Sequence, residues 1–387
     1  MSEIKKLIER LCPDGVEYKK LGEVCEILDS QRKPVAKGKR EGGEYPYYGA
    51  NGIQDYVNDY LFDGTFLLVG EDGSVINKDL SPVLNWAEGK IWVNNHAHIL
   101  KEISKVAILR FIFFALQQTD VSGLVRGTPP KLNQANLKSI EIPVPPIEVQ
   151  SKIVEILDNF TELEAELEAE LEARRKQYEY YRNQLLTFDK VGGARFDVKW
   201  MKLGEISMYA KERIDGNLLS TENYVGVENL LKDKGGKTSS SSVPSGNAIK
   251  FKPGDILIGN IRPYLKKIWL ANVIGGTNGD VLCIRVSRND LVSSDYLYKC
   301  LSSDSFFNYD NSHAKGGKMP RGDKKAVMEY SIPIPPLSEQ ERIVSILDRF
   351  EALTTDLQSG LPAEIEARRK QYEYYREKLL SFKRKEF

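Results

Sequence analysis

Two stretches of the chain carry apolar residues at steps of three and four. The first runs Ile153, Ile156, Leu157, Phe160, Leu163, Leu167 and Leu171, then Tyr178, Tyr181 and Leu185; the second runs Ile343, Ile346, Leu347, Phe350 and Leu353. That spacing marks one face of an α-helix. Each stretch follows a proline pair, Pro145-Pro146 and Pro335-Pro336, whose rings exclude helix before positions 147 and 337. No proline or glycine interrupts residues 147–188, so at 1.5 Å per residue the first helix should reach about 60 Å. The second should break near Ser359-Gly360-Leu361-Pro362, with Pro362 in the first turn of a restarted segment. Such stripes need partners, and equivalent helices related by a pseudo-two-fold would pack antiparallel, as in a coiled coil.

Elsewhere the pattern is that of short strands and turns. Tyr47-Tyr48-Gly49-Ala50-Asn51-Gly52 sets tyrosines beside an Asn-Gly turn. Phe66 to Val69 is predicted to be a buried strand ending at Gly70-Glu71-Asp72-Gly73, and Ile91 to His98 another strand. Gly254 to Asn260 repeats the theme before Ile261-Arg262-Pro263-Tyr264-Leu265-Lys266-Lys267.

The chain is a duplication. IPVPPIEVQSKIVEILDNF at 142–160 returns as IPIPPLSEQERIVSILDRF at 332–350, and ARRKQYEYYR at 173–182 returns letter for letter at 367–376. A weaker echo, Tyr18-Lys19-Lys20-Leu21-Gly22-Glu23 against Trp200-Met201-Lys202-Leu203-Gly204-Glu205, opens each copy. The fold class is therefore α+β: two mixed α/β domains separated by two long antiparallel helices, with an internal pseudo-two-fold. The expected boundaries are a domain at 1–146, a helix at 147–189, a domain at 190–336 and a helix at 337–387. Residues 162–173 repeat ELEA three times. The glutamates form either a solvated helix face or part of a spacer counted in whole tetrapeptides.

Bulk properties narrow the function. A chain of 387 residues suits two domains, and the 55 basic and 55 acidic residues cancel. Zero net charge leaves nucleic-acid binding to local patches. The four cysteines form no CxxC pair and read as reduced thiols. The apolar run from Ala107 to Leu116 is too short for a membrane span, and MSEIKKLIER has no signal-peptide core. A cytoplasmic location is expected.

Positive charge gathers in two loops. Residues 30–41 hold Arg32, Lys33, Lys37, Lys39 and Arg40 against Glu41; residues 313–325 hold Lys315, Lys318, Arg321, Lys324 and Lys325 against Asp323. Such loops suit a phosphate backbone. Arginine reads guanine and asparagine reads adenine in the major groove, which makes Asn51, Arg126, Asn260, Arg262 and Arg321 candidate base readers. Arg32, Lys33, Tyr48, Tyr264, Lys266 and Lys318 are the accompanying DNA-binding candidates. His96 and His98 would share one side of a strand, as a metal pair or as a hydrogen-bonded structural pair. With no third ligand in view the structural reading is preferred. No catalytic residue is expected: there is no phosphate loop, no proline pair fits an adenine-methyltransferase loop, and the carboxylates of Pro13-Asp14-Gly15-Val16-Glu17-Tyr18-Lys19 stand too close for a nuclease. A scaffold without DNA contact and a stand-alone endonuclease are the alternatives.

The alternation of variable domain, proline-rich strand end and long helix resembles the specificity subunits of type I restriction–modification enzymes. YYGANGIQDYVNDYLFDGTFLLVGEDGS and GDILIGNIRPYLKKI add to the likeness, which covers nearly the whole chain. Gly127-Thr128-Pro129-Pro130-Lys131-Leu132 and Gly316-Gly317-Lys318-Met319-Pro320 look like that family's closing loop, which lies near DNA. The resemblance adds Thr128 and Lys131 to the DNA-binding candidates. It implies that each variable half is a target-recognition domain reading one half of a split site on double-stranded DNA. It implies that the helices fix the half-site spacing and dock two methyltransferase subunits, with Leu163, Leu167, Leu171, Tyr178, Tyr181, Tyr372 and Tyr375 as the candidate helix residues. Methylation with S-adenosylmethionine, and ATP- and magnesium-dependent cleavage, would belong to the methyltransferase and restriction subunits. No cofactor or metal is expected on this chain, which would serve DNA methylation and phage defence.

Overall fold

The computed structural model describes residues 2–188, 198–355 and 360–386. They group into two compact units. One comprises Met1–Glu168 with Glu364–Phe387, the other Ala169–Ala363. The last stretch of the chain thus belongs with the first unit, whereas the sequence reading kept 337–387 together as a helix.

In the first unit α1 (Ser2–Leu11) precedes β1 (Tyr18–Lys20), α2 (Leu21–Val24), β2 (Cys25–Ile27), β3 (Gly42–Gly49), β4 (Gly52–Val57), β5 (Phe62–Gly70), β6 (Leu84–Val93) and β7 (Ala97–Glu102). Then come α3 (Leu109–Leu116), α4 (Gln134–Ser139), β8 (Glu141–Pro143) and the start of α5 (Ile147–Leu186). Six strands form one sheet in the order β2-β7-β5-β6-β3-β4. Central strand β5 shows why Phe66-Leu67-Leu68-Val69 is apolar throughout. Alternate side chains leave a strand on opposite faces, so Leu67 and Val69 enter one core while Phe66 and Leu68 enter another. The predicted strand from Ile91 to His98 is instead two strands. Asn94 Oδ1 accepts the N–H of His96 at 2.8 Å, an Asx turn that ends β6 and restarts the chain as β7.

The second unit repeats the plan with β9 (Lys199–Lys202), α6 (Leu203–Ile206), β10 (Ser207–Tyr209), β11 (Arg213–Ile214), β12 (Tyr224–Val225), β13 (Ala248–Phe251), β14 (Ile256–Gly259), β15 (Ile268–Leu270), β16 (Gly275–Thr277) and β17 (Val281–Val286). These are followed by α7 (Ser294–Leu301), α8 (Asp304–Ser312), α9 (Lys324–Glu329), β18 (Ser331–Ile334) and α10 (Leu337–Thr355). Two four-stranded sheets run β10-β17-β14-β15 and β11-β13-β16-β12. Ile256 and Ile258 of β14 face one core and Leu257 the other.

The repeated motifs are the frame that joins each variable half to its helix. The opening echo pairs with the proline-rich strand end, β1 with β8 and β9 with β18, both antiparallel. Gln150 and Gln340, both fully buried, bind the chain ahead of their helices. Gln150 Nε2 donates to Pro145 O at 2.7 Å while its Oε1 accepts from Ile108 N–H at 2.9 Å. Gln340 Nε2 donates to Pro335 O at 2.8 Å while its Oε1 accepts from Ser293 N–H at 3.0 Å. Asp158 takes Arg110 Nε at 2.7 Å, and Asp348 takes Lys299 Nζ at 2.7 Å.

Helix α5 is continuous for 40 residues, about 60 Å. The later helix is interrupted as the sequence suggests: α10 ends at Thr355 and α11 (Leu361–Leu380) restarts with Pro362 in its first turn; Ser359 lies outside the described residues. Within the first unit α11 runs antiparallel to α5, with Phe160 against Tyr372 and Tyr375 and Arg369 on Glu164 at 2.7 Å and Glu168 at 3.3 Å. Glu164 is therefore not part of a purely solvated face. Leu163 departs from the expected stripe and is 45% exposed, while Leu167 and Leu171 are half-buried. Four-residue steps turn a helix by about 400°, so these leucines drift some 40° per repeat away from any fixed seam. Among the described residues no helix is long and apolar enough to cross a membrane.

Candidate nucleic-acid interface

Each unit folds a glycine-containing loop back onto the end of its central strand, with one register for both. In the first unit Arg126 and Lys131 exchange backbone hydrogen bonds of 3.0 and 2.8 Å, and Leu132 N–H donates to Glu71 O at 2.8 Å. In the second, Lys315 and Arg321 exchange bonds of 2.9 Å, and Gly322 N–H donates to Asn260 O at 3.1 Å. Gly127 and Gly316 open the two loops at φ +88° and +106°, backbone that glycine adopts without strain. Arg126 thus corresponds to Lys315, Lys131 to Arg321, and Glu71 to Asn260.

The exposed side chains of the two loops differ while the frame is constant. The first presents Arg126, Thr128 and Lys131; the second presents Lys318, Met319 and Arg321. Arg126 Nη1 is held by Val125 O at 2.9 Å, and Lys131 Nζ by Glu71 at 3.0 Å. Arg321 meets Asp280 at 3.1 Å yet stays largely exposed. Arg262 lies beside this loop, its N–H donating to Pro320 O at 2.7 Å, and Tyr264 is half-exposed on the short turn Pro263–Leu265. The structure therefore brings Arg262, Tyr264, Lys318 and Arg321 to one region of the second unit.

Other candidates are turned inward or committed elsewhere. Lys266 pairs with Asp304 at 2.9 Å. Burial alone would raise the Asp304 carboxyl, but hydrogen bonds from Lys266 and Lys234 outweigh it and bring it to about 2. Asn260 is buried. Tyr48 belongs to the core rather than to the surface. Tyr47 and Tyr48 leave β3 on opposite faces, and both faces are covered: Tyr47 lies against Trp92 and Arg40, while Tyr48 joins the core with Phe66 and Leu68. The exposed tyrosines there are Tyr56 and Tyr60, the latter edge-on to half-buried Tyr45 and with Lys90 Nζ 4.7 Å from the Tyr60 ring. Asn51 is exposed at the turn before Gly52, as expected.

Arg32 sits beneath the first loop in a buried ion network. Its Nη1 reaches Glu71 at 2.5 Å and Ala97 O at 2.9 Å, and its Nε reaches Asp29 O at 2.9 Å. Of the basic loop only Lys33, Lys37 and Lys39 reach solvent; Arg40 pairs with Asp55 at 3.2 Å and covers the Tyr47 ring. His98 joins the network, with Nδ1 2.6 Å from Asp29 and Nε2 2.7 Å from Leu132 O. Asp29, Glu71 and His98 could in principle surround a metal, but Arg32, Lys131 and Gln134 already occupy their oxygens. Burial pushes both carboxyls up. Hydrogen bonds from His98 and Gln134 to Asp29, and from Arg32 and Lys131 to Glu71, overcome it and leave both below the usual range. His96 turns outward to Asp72, so the two histidines do not share a site.

On the helices, the two copies of ARRKQYEYYR behave alike. Tyr372 is buried and Tyr178 half-buried, the latter pushed up to about 12 by that burial. Tyr181 lies against Phe350 and Tyr375 against Phe160. The tyrosines turned most to solvent are Tyr180 and Tyr374, at 60% and 55%. Sequence reasoning passed over these two, although their place one residue off the apolar stripe marks them as outward-facing.

The family model for the type I restriction modification DNA specificity domain matches residues 13–173 and again 197–367. The chain belongs to this family. A type I restriction enzyme specificity subunit of Haemophilus influenzae is 36% identical to it, the alignment covering 99% of this chain and 100% of that one. The EcoR124I/EcoR124II specificity subunit of Escherichia coli is 30% identical, over 100% and 99% of the two chains. The fold is also that of a type I restriction–modification S subunit from M. genitalium, with TM-score 0.60, 15% identity and coverage of 95% and 96%. As a specificity subunit the chain is a reader rather than itself the enzyme.

Proposed function

We propose that each unit reads one half of a split site on double-stranded DNA, with the closing loop as the reading edge. The observation that carries this is the pair of loops held in one backbone register with different exposed side chains. A constant frame with exchangeable contacts is what two different half-sites require. Arg126, Thr128 and Lys131 face the first half-site, with Asn51 and Lys33 on the same unit. Arg262, Tyr264, Lys318 and Arg321 face the second. Arg32, Tyr48, Asn260 and Lys266 act from beneath, as supports.

The helices dock partners. Because ARRKQYEYYR presents the same exposed tyrosine twice, Tyr180 and Tyr374, two copies of one partner fit, and the partner is a methyltransferase subunit. S-adenosylmethionine, ATP and magnesium for the chemistry belong to that subunit and to a restriction subunit, in the cytoplasm. Deleting one ELEA tetrapeptide shortens α5 by about 6 Å, close to two base pairs. The expected result is a changed spacer between unchanged half-sites, read from the methylated motif.

The test of the whole reading is methylome sequencing of a host expressing this chain with its methyltransferase subunit. A split adenine-methylated motif that disappears without this chain is expected. A soluble complex that yields no new motif would favour a scaffold.

A further inference from the structure

Beneath the closing loop of the second unit, three buried oxygens have no protein donor. Asp310, on α8, is 1% exposed and neither carboxylate oxygen accepts a hydrogen bond. Asn260, just after β14, is 5% exposed and its Oδ1 is likewise without a partner. Both side chains point at one place. A β-carbon on Gly322 would stand 2.5 Å from Asp310 Oδ1 and 2.8 Å from Asn260 Oδ1. Only glycine leaves the two oxygens room there, and its own N–H is spent on the Asn260 carbonyl.

A buried carboxylate needs its charge compensated. The surrounding groups do not supply this. Lys315 pairs with Asp323 at 2.6 Å, Arg321 with Asp280, and the Tyr209 hydroxyl donates to Lys324 O. His313 contributes only its longer-range charge, and Arg262 Nε, itself buried without a partner, bonds to neither side chain. Burial pushes the Asp310 carboxyl up, as happens to a carboxylate with no cation beside it. A water molecule would satisfy the oxygens without answering the charge. A carboxylate and an amide oxygen converging on a small cradle are the ligand chemistry of hard divalent cations.

We propose that Asp310 and Asn260 bind a hard divalent cation of the magnesium or calcium class in the cradle left by Gly322. The ion ties α8 to the end of β14 and so to the base of the loop that carries Lys318 and Arg321.

The experiment is calorimetric titration and thermal melting of the full chain with magnesium chloride or calcium chloride, against potassium chloride at matched ionic strength. One saturable ion per chain and a rising Tm are expected with at least one of the two salts. Asp310→Asn should lose at least tenfold in affinity while remaining folded, because its amide can donate to Asn260 Oδ1. Asn260→Ala provides a second reading of the same site, and Asp290→Asn, a surface carboxylate paired with Arg288, should bind as the parent does. The proposal is overturned by absence of saturable binding in the parent chain. Binding that survives both Asp310→Asn and Asn260→Ala also overturns it, as does a Tm that responds to acid but not to either cation.

Discussion

The two closing loops share their closing backbone hydrogen bonds and rest on different electrostatic foundations. Under the first, Glu71 and Asp29 are met by Arg32, Lys131, His98 and Gln134, so every buried charge has a partner supplied by the chain. Under the second, the position of Glu71 is taken by Asn260, and Asp310 is buried with no protein partner. One foundation is neutralised from within, and the other depends on its surroundings. The loop register is therefore fixed by backbone hydrogen bonds common to both units, while the charge beneath is free to diverge.

The comparison can be broken most forcefully at Arg32. Removing one partner from a buried ion pair costs about 3–5 kcal/mol, because the remaining charges stay buried. Arg32→Ala should lower the stability of the first unit by that order, measured by urea denaturation. An unchanged midpoint with weakened DNA binding would return Arg32 to the DNA surface.

Acid should separate the two foundations next. The folded-state carboxyl of Asp310 is raised from 3.8 to about 6, so its cost is full above pH 6 and is relieved as pH falls toward 3.8. Without added divalent cation, Asp310→Asn should be more stable than the parent by on the order of 3 kcal/mol at pH 7.5. That gap should close by about pH 4. Asp29 and Glu71 are lowered instead. Their stabilisation is present above their ordinary values and is lost only as pH falls through the folded ones, so the first unit should weaken where the second has been relieved. Parallel denaturation curves at each pH would contradict this.

A smaller effect tests what the units share. Gln150→Ala and Gln340→Ala each strand a buried N–H and carbonyl, at a cost of about 2 kcal/mol. Equal losses are expected in the two units, and a marked inequality would show that the frames are not equivalent.

Much of this frame was legible in the sequence. The proline pairs, the three-and-four spacing and the doubled ARRKQYEYYR gave α5, the break before Leu361 and the duplication. Side-chain direction was not legible, and the reasons are particular. Arg32 turns inward because Glu71, 39 residues away, lies beneath it, and His98 finds Asp29 across 69 residues. Tyr48 is buried because the fold covers both faces of β3, which composition does not announce. Gln150 and Gln340 stood in plain view within the repeat, but their role depends on carbonyls and amides that only the folded chain brings near. The loops themselves were located by glycine and charge, while their common register required the strand ends they close upon.

The chain's two ends meet inside the first unit. Val16 N–H donates to Lys383 O at 2.8 Å, Lys385 N–H returns to Val16 O at 3.0 Å, and Tyr18 donates to Phe382 O. The second unit is one unbroken stretch of chain, whereas the first is sewn shut by Glu364–Phe387. Tyr18 and Phe382, 364 residues apart, are therefore joined across the whole of the intervening unit's sequence, a loop closure the second unit never has to make.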